Sequence, residues 1–301
     1  MMKLVPMGLG DILDAAFRLC RKRFSTYIGI AAVVAVPSSL GAAVLVGLGR
    51  RFATLQQPED DGLLNVVMAL SGHGGRWASA AAASNGTAQL LNVPALGGSV
   101  LAMLAYAALL GGAYLTIMSF AYPLCAGALI VNISSSYLGE TLGAGQSYAR
   151  AFRKLWRLLM AQAWTTLLVL LGALLCVIPG LILALQLAVV PQVVLLEDVK
   201  AWAAIGRSRA LMADYLGKAF LLWFVVSLLG FVIGTAISTA IEVIPWPLPL
   251  VGDFLSFFFL QIVMMPLSIA TTVLFYYDLR IRKEAFDLQH LASSMVEFRA
   301  P

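Results

Sequence analysis

Five long stretches of the sequence contain no charged residue and no histidine, and this feature restricts the fold more than any other. They lie at 27–48, 99–138, 158–196, 219–241 and 254–277. A helix needs about 20 apolar residues to cross the hydrocarbon core of a bilayer, and each stretch reaches that length. Charged residues make up only 12% of the chain, where a soluble domain carries roughly 25%. These properties exclude a soluble enzyme, a disordered chain and a nucleic-acid-binding domain, and predict an integral membrane protein.

Lys and Arg are distributed unevenly around these stretches, which predicts how the chain crosses the membrane. Cytoplasmic loops of membrane proteins carry an excess of Lys and Arg. If the segments before the first stretch, after the second, after the third and after the last lie in the cytoplasm, they hold 17 of the 20 Lys and Arg residues. Only Arg50, Arg51 and Arg76 then lie on the other side. We therefore expect both termini to be cytoplasmic and the number of spans to be even.

Two stretches are too long for a single perpendicular span. Stretch 158–196 must cross twice under this topology, and the Ile-Pro-Gly sequence at 178–180 in its middle is a turn signal. Stretch 99–138 must cross an odd number of times. A single helix over it would be about 60 Å long. We interpret it as one long helix, tilted or broken near 111–112 or at Pro123.

The predicted fold is an all-α integral membrane protein with six transmembrane helices in a single membrane domain, 1–301. The predicted spans are 27–48, 99–138, 158–177, 181–196, 219–241 and 254–277. A cytoplasmic amphipathic helix is expected within 1–26, an extracytoplasmic loop at 49–98 and a cytoplasmic tail at 278–301. The loop is too small for an independent catalytic domain.

Three basic segments share a pattern in which an amphipathic helix leads directly into a span. They are Asp11–Phe24, Gln146–Trp156 and Val199–Leu216. Phe17 and Trp202 fall on the apolar face of the first and third segments. The pattern is consistent with three repeats of a cytoplasmic amphipathic helix plus a helical hairpin. It is equally consistent with the basic linkers that any multi-span protein contains.

The basic residues of these segments and of the tail are candidate contacts for anionic lipid headgroups or for a protein partner. Each Lys or Arg near an anionic membrane surface contributes about 1 kcal/mol. The candidates are Arg18, Arg21, Lys22, Arg150, Arg153, Lys154, Arg157, Arg280, Arg282 and Lys283. Gly230 and Gly234 form a G-x-x-x-G pair, whose spacing favours close helix packing within the chain or between copies.

The sequence does not indicate catalytic chemistry. Proton-coupled transporters and intramembrane hydrolases place ionisable groups at membrane depth, and the predicted spans contain none. The two histidines, His73 and His290, fall on opposite sides of the membrane in this topology. The three cysteines lack the spacing of metal ligands. We expect no catalytic residue, no metal, no cofactor and no nucleic-acid partner.

Uncharged polar residues within the spans allow two interpretations. They are Asn132, Gln162, Thr165, Thr166, Gln186, Gln192, Gln261, Thr271 and Thr272. Such residues hydrogen-bond between helices in many membrane proteins, and packing is the simpler interpretation. The alternative is that some of them line a cavity for a polar or lipid-sized molecule.

The end of the last span carries a recognisable sequence, Tyr276 to Asp287. Here Asp278 and Arg282, like Arg280 and Glu284, are four residues apart and positioned to pair on a helix. This block resembles the C-terminal signature of a bacterial membrane-protein family that is similar to the membrane domain of glycerophosphoryl diester phosphodiesterase. Softer matches to the family are found at Leu9–Arg18, Tyr137–Glu140, Ala151–Arg153, Ile178–Gly180 and Pro191–Glu197.

The resemblance implies a membrane domain in the bacterial cytoplasmic membrane without established chemistry. Diesterases of that type carry a separate barrel domain with metal-binding carboxylates and catalytic histidines, and this sequence contains no such segment. The function we expect is therefore a non-enzymatic scaffold or partner subunit of a membrane complex. The alternative is a protein that binds or transports a lipid or another apolar small molecule.

Overall fold

A computed structural model of the chain describes residues 7–55, 100–244, 246 and 248–297. Within these ranges the chain forms ten helices and no strand. The helices are α1 Leu9–Lys22, α2 Phe24–Leu55, α3 Val100–Tyr137, α4 Ala144–Arg153, α5 Leu155–Leu175, α6 Val177–Gln186, α7 Val190–Leu196, α8 Ala201–Met212, α9 Leu216–Glu242 and α10 Pro249–Glu297.

Six helical segments of the described chain are long and apolar enough to cross a membrane, which confirms the predicted fold class. They are Phe24–Arg50, Ala105–Tyr137, Leu155–Leu175, Val177–Leu196, Leu216–Glu242 and Pro249–Glu284. The fourth segment combines α6 and α7. Helices satisfy their own backbone hydrogen bonds, and this allows such segments to enter lipid. The chain is an all-α integral membrane protein.

The reversal within stretch 158–196 occurs at Cys176, two residues before the predicted turn. Cys176 has an extended backbone between α5 and α6, and 178–180 belong to the first turn of α6. Pro179 fits there because the first N–H groups of a helix have no intrahelical partner. Gly180 allows α6 to pack closely against α5, since a Cβ at this position would lie 2.7 Å from the Cα of Ala173.

Two helices extend beyond the predicted spans. α3 is continuous from Val100 to Tyr137 with Pro123 inside it. Stretch 99–138 therefore forms one long helix and is not broken near 111–112 or at Pro123. α10 continues without interruption from the last predicted span into the segment predicted as a tail. α2 extends to Leu55, so the first residues of the predicted loop 49–98 are helical, and 56–99 lie outside the described residues.

The sequence predicts one membrane domain, whereas Cα packing groups the described residues into two compact units. Unit 1 comprises the described residues of Met1–Ala35, Ser119–Thr235 and Leu260–Pro301, and unit 2 those of Val36–Met118 and Ala236–Phe259. In unit 2, Arg50 donates a hydrogen bond of 2.7 Å to Asp253. In unit 1, the buried Asn132 amide donates to the Leu142 carbonyl oxygen at 3.1 Å and to Ser147 at 2.7 Å, and so connects α3 to α4.

The three predicted basic helices are present as α1, α4 and α8, but their large aromatic side chains do not all face inward. The buried face of α1 is formed by Ile12, Ala16 and Leu19. Phe17 and Trp202, predicted on the apolar faces, are 46% and 68% exposed. Their exposure within the chain leaves both side chains available to contact lipid, and the placement of these apolar faces in the membrane interface stays a prediction.

Candidate functional site

Unit 1 contains a cavity of about 300 Å³ between its apolar helices. Sixteen residues of five helices line it: Tyr122, Pro123, Ala126, Gly127 and Ile130 of α3, Leu158 and Gln162 of α5, Pro191 and Gln192 of α7, Trp223, Val226 and Ser227 of α9, and Ser268, Ile269, Thr271 and Thr272 of α10. The volume lies at the lower end of the range for ligand-binding pockets.

A helix break positions the polar residues of α7 at this cavity. Proline lacks an N–H group, and its ring clashes with the carbonyl four residues earlier. Pro191 therefore favours a break before it: α6 ends at Gln186 and the chain restarts as α7 at Val190, with Pro191 in the first turn, where its missing N–H leaves no helical bond unmade. Gln192 follows directly and faces Thr272 of α10. The break thus brings a long polar side chain to a depth at which a regular span would carry an apolar one.

Gln192 is the most strongly buried polar side chain of the lining apart from Thr271, and half of its amide lacks a partner. It is 3% exposed, and its Nε2 donates a hydrogen bond of 3.0 Å to the Thr272 hydroxyl. Its Oε1 is buried without a hydrogen-bond partner in the described chain. Leaving a buried acceptor unpaired costs about 1–3 kcal/mol.

Four lining residues are exposed and mark where the cavity opens. Tyr122 is 50% exposed, Trp223 is 39% exposed, and Gln162 and Ser227 are also exposed. All four lie well inside the segments long enough to cross a membrane. The opening between α3, α5 and α9 therefore faces hydrocarbon when the chain is in a bilayer.

The depth of the cavity follows from the distance along each helix to the nearest charged residue. Gln162 is five residues from Arg157, Gln192 is five from Glu197, and Trp223 is five from Lys218. A rise of 1.5 Å per residue makes each separation about 7.5 Å along the helix axis. The cavity lies about one and a half helical turns from the charged ends of its helices.

The charged ends are held together by Asp278, which is completely buried. Its carboxylate accepts hydrogen bonds from the Met7 backbone N–H at 2.7 Å, from Lys218 at 2.5 Å and from Arg282 at 3.0 Å. Lys218 and Arg282 also donate to the Met7 carbonyl oxygen, at 2.8 and 2.9 Å. The predicted Asp278–Arg282 pair is confirmed, and it fixes the segment before α1 to α9 and α10.

A second ionic group surrounds Arg207 of α8. Arg207 pairs with Glu197 at 3.1 Å and with Glu284, and Tyr276 donates a hydrogen bond of 2.7 Å to Glu197. Burial lowers the pKa of Arg207, but its bonds to the two carboxylates outweigh this and raise it above its ordinary value. Arg280 pairs with Glu284 at 2.8 Å, as predicted from their spacing.

Ion pairs separate the ten predicted basic candidates into two groups. Six are paired within the chain: Arg18 with Asp14, Lys154 and Arg157 with Asp198, Arg280 with Glu284, Arg282 with Asp278, and Lys283 with Asp214. The other four have no ion-pair partner among the described residues and are exposed: Arg21, Lys22, Arg150 and Arg153. Only this second group retains its full charge for an external anion.

The glycine pair of α9 faces α10 within unit 1. A Cβ at Gly230 would lie 3.1 Å from the Met264 Cε, and one at Gly234 would lie 3.3 Å from the Leu260 Cδ2. Small residues at this spacing allow two helices to approach closely. Of the two predicted roles, packing within the chain is the one these contacts describe.

The described residues contain no group of three or more His, Cys, Asp or Glu side chains placed to hold a metal ion. Cys20 lies outside the spans, and burial raises the pKa of its thiol to about 11. The thiol is therefore protonated at neutral pH, and the thiolate is the reactive form.

The structure brings together only part of the polar set found in the sequence. Gln162, Gln192, Thr271 and Thr272 line the cavity, whereas the other five intramembrane polar residues do not. Tyr122, Trp223, Ser227 and Ser268 are polar lining residues that the sequence reasoning missed. For Tyr122 and Trp223, the available signal was an aromatic residue with a polar atom in the middle of a span.

Comparison with known proteins gives no match: no family model, no curated protein and no solved structure is detectably similar to this chain.

Proposed function

We propose that this chain is a non-enzymatic membrane protein that binds a lipid-like amphiphile in the cavity of unit 1. The observation that carries the proposal is the Gln192 side chain, buried beside an otherwise largely apolar space with its Oε1 unpaired. Buried polar groups in proteins are nearly always hydrogen-bonded. The buried Oδ1 of Asn132 also lacks a partner among the described residues, but Asn132 does not line the cavity, so Gln192 carries the unpaired amide oxygen that an occupant of the cavity could reach.

The position of the cavity supports an occupant that comes from the membrane. The opening at Tyr122, Gln162 and Trp223 lies within the spans. An apolar chain that moves from lipid into the cavity exchanges one apolar environment for another, so the polar contacts supply the selectivity. The charged residues about 7.5 Å away along the helices are within reach of a polar head.

Photocrosslinking in lipid nanodiscs tests this proposal. Lipids with a diazirine in the acyl chain should label α3, α7 or α9 at the cavity. Ala126→Leu fills the cavity and should reduce labelling there several-fold, whereas Ala113→Leu, on an exposed face of the same helix, should not. Equal labelling of the wild type and Ala126→Leu would remove the proposal.

A second candidate function is that of a scaffold or partner subunit of a membrane complex, and the four unpaired cations favour it. Arg150 and Arg153 lie on α4 beside Phe152, which is exposed, and Arg21 and Lys22 lie on α1, which exposes Phe17. Basic residues next to exposed aromatic side chains are typical of helices in the membrane interface. We propose that these surfaces bind anionic lipid headgroups and thereby orient the chain for its partner.

Native mass spectrometry of protein extracted in mild detergent tests the second candidate. The wild type should retain anionic in preference to zwitterionic phospholipid, and the double variant Arg150→Gln/Arg153→Gln should lose this preference. Arg18→Gln is the matched control, because Arg18 is exposed but paired with Asp14. A reproducible copurifying protein supports the partner role, and a solitary monomer without lipid preference contradicts it.

We further propose the bacterial cytoplasmic membrane as the location, with both termini in the cytoplasm. The excess of Lys and Arg in four segments supports the orientation, and the resemblance of 276–287 to a bacterial membrane family supports the location. Reporter proteins fused to each terminus should both be active in the cytoplasm. Activity of the two reporters on opposite sides would overturn the topology.

A further inference from the structure

The hydrogen bonds of Thr272 determine which end of the Gln192 amide lacks a partner. The Thr272 hydroxyl has one proton, and it donates this proton to its own helix, at the carbonyl oxygens of Ile269 (3.0 Å) and Ser268 (3.2 Å). Toward Gln192 it can therefore only accept. The amide must present its Nε2 to Thr272, which leaves Oε1, an acceptor, as the unpaired atom.

We propose that the occupant of the cavity is a single-chain amphiphile that donates a hydrogen bond, from a hydroxyl or an amide N–H, to the Oε1 of Gln192. This inference rests on the proposed binding function and adds the chemical class of the ligand. A cavity of about 300 Å³ has the volume of roughly ten water molecules. It accommodates part of one alkyl chain with its polar group, so a single chain is enough to fill it.

The donor requirement separates classes of membrane molecules. Ester carbonyl and ether oxygens only accept hydrogen bonds. A diacyl lipid whose hydroxyls next to the chains are all esterified therefore offers no donor to the Oε1 of Gln192. A free hydroxyl next to the chain, as in a long-chain alcohol or a monoacylated glycerol, supplies the missing donor. An N-acyl amide does so as well. A ligand that lacks the donor should bind about tenfold more weakly, because it buries the acceptor without a partner.

The polar atoms at the opening complement such a ligand. Tyr122 and Trp223 line the cavity, and neither the Tyr122 hydroxyl nor the Trp223 indole N–H has a hydrogen-bond partner among the described residues. Both are able to donate to an oxygen of the ligand. One acceptor inside and two donors at the opening match a polar group that carries a hydroxyl beside an ether or ester oxygen.

A matched pair of photoprobes tests the inference in nanodiscs with the full chain. The probes are a single-chain alcohol with a diazirine in its chain and the methyl ether of the same alcohol. They have the same chain and differ in the donor. The wild type should capture the alcohol about tenfold more efficiently than the ether at the cavity helices.

Two variants assign that preference to Gln192. Gln192→Leu should capture alcohol and ether equally, and Gln192→Met, which keeps the unbranched length of the side chain, should do the same. Gln186→Leu is the control, because Gln186 also lies in the fourth span but does not line the cavity. It should retain the wild-type preference.

The possible outcomes distinguish the ligand class from the binding function. If the wild type captures both probes equally at the cavity, the donor inference is wrong while amphiphile binding stands, and a water molecule satisfies Gln192. If neither probe labels the cavity helices, the binding function fails as well. The ratio of the two probes on the wild type requires no variant, so the test holds even if a substitution prevents folding.

Discussion

Gln192 and Asp278 are both almost completely buried polar residues of unit 1, yet their surroundings differ. Asp278 receives hydrogen bonds from a backbone N–H and from two cationic side chains. Gln192 receives none on its Oε1. Because burial of a polar group is unfavourable unless it is hydrogen-bonded, the comparison separates two kinds of buried group. The carboxylate of Asp278 has hydrogen-bond donors within the chain, whereas the Oε1 of Gln192 at the cavity lacks one.

The largest expected loss of stability comes from disrupting the hydrogen-bonded ion pairs of Asp278. Asp278→Asn removes the negative charge that faces Lys218 and Arg282, and these cations are largely buried. Removing one partner of a buried pair costs about 3–5 kcal/mol, and the partial exposure of the cations places the expected loss near the lower end, about 3 kcal/mol. Denaturant unfolding in detergent measures it.

The matched control for this variant is Asp14→Asn. Asp14 pairs with Arg18 at the same spacing of four residues, but both side chains are more than half exposed. Exposed pairs contribute about 0–1 kcal/mol, so its loss should fall within that range. Similar losses for the two variants would mean that Asp278 is not a structural centre.

A second comparison tests whether the cavity is confined to its own lining or reflects loose packing throughout unit 1. Gly180→Ala adds a methyl group that would lie 2.7 Å from the backbone of Ala173, and such overpacking costs about 1–3 kcal/mol. Ala126→Val adds methyl groups next to the cavity and should cost less than about 1 kcal/mol. Thermal unfolding of both variants measures the difference, and equal tolerance at both positions would contradict a locally confined cavity.

The sequence predicts the fold class well because burial in lipid imposes a simple rule. Each span must be apolar over its whole length, and this rule finds five stretches. The distribution of Lys and Arg then divides 158–196 into two spans, which gives the six segments observed. Pro179 in the first turn of α6 shows where it is insufficient. Pro and Gly indicate an interruption, but they do not show whether the chain reverses before or after them. The close approach of Gly180 to the Ala173 backbone is visible only once α5 and α6 are packed together.

The site was only partly predictable, for a related physical reason. Four of the polar cavity residues were identified as members of a larger class, but membership of that class does not distinguish Gln192, which follows Pro191, from Gln186. Their difference depends on Thr272, eighty residues away along the chain. In the same way, the basic candidates look alike in sequence, and only their carboxylate partners separate Arg157 from Arg153.

Gln192→Leu is expected to have a much smaller effect on the unfolding of the ligand-free protein than Asp278→Asn. The substitution loses the hydrogen bond to Thr272, about 1 kcal/mol, but also removes an unpaired acceptor that costs about 1–3 kcal/mol. The variant should therefore be equal to or slightly more stable than the wild type. Thr272→Val, which leaves the whole Gln192 amide unpaired, should instead destabilise by about 1–2 kcal/mol. A loss of stability in Gln192→Leu comparable to that in Thr272→Val would show that Oε1 is satisfied in the protein.

The smallest effect is expected at the exposed carboxylate of Asp198. The hydrogen bond and charge of Lys154, together with the charge of Arg157, hold the pKa of Asp198 below its ordinary value of 3.8. A carboxylate with a lowered pKa in the folded state adds stability above the unfolded pKa, and this stability disappears as the pH falls through the folded pKa. The wild type should thus be slightly more stable than Asp198→Asn at neutral pH, and the difference should vanish as the pH falls below 3.8. Because the pair is exposed, added salt should also reduce the difference at neutral pH. Unfolding temperatures of both proteins over this pH range measure the effect, and a difference that persists in acid would mean that Asp198 acts through packing and not through its charge.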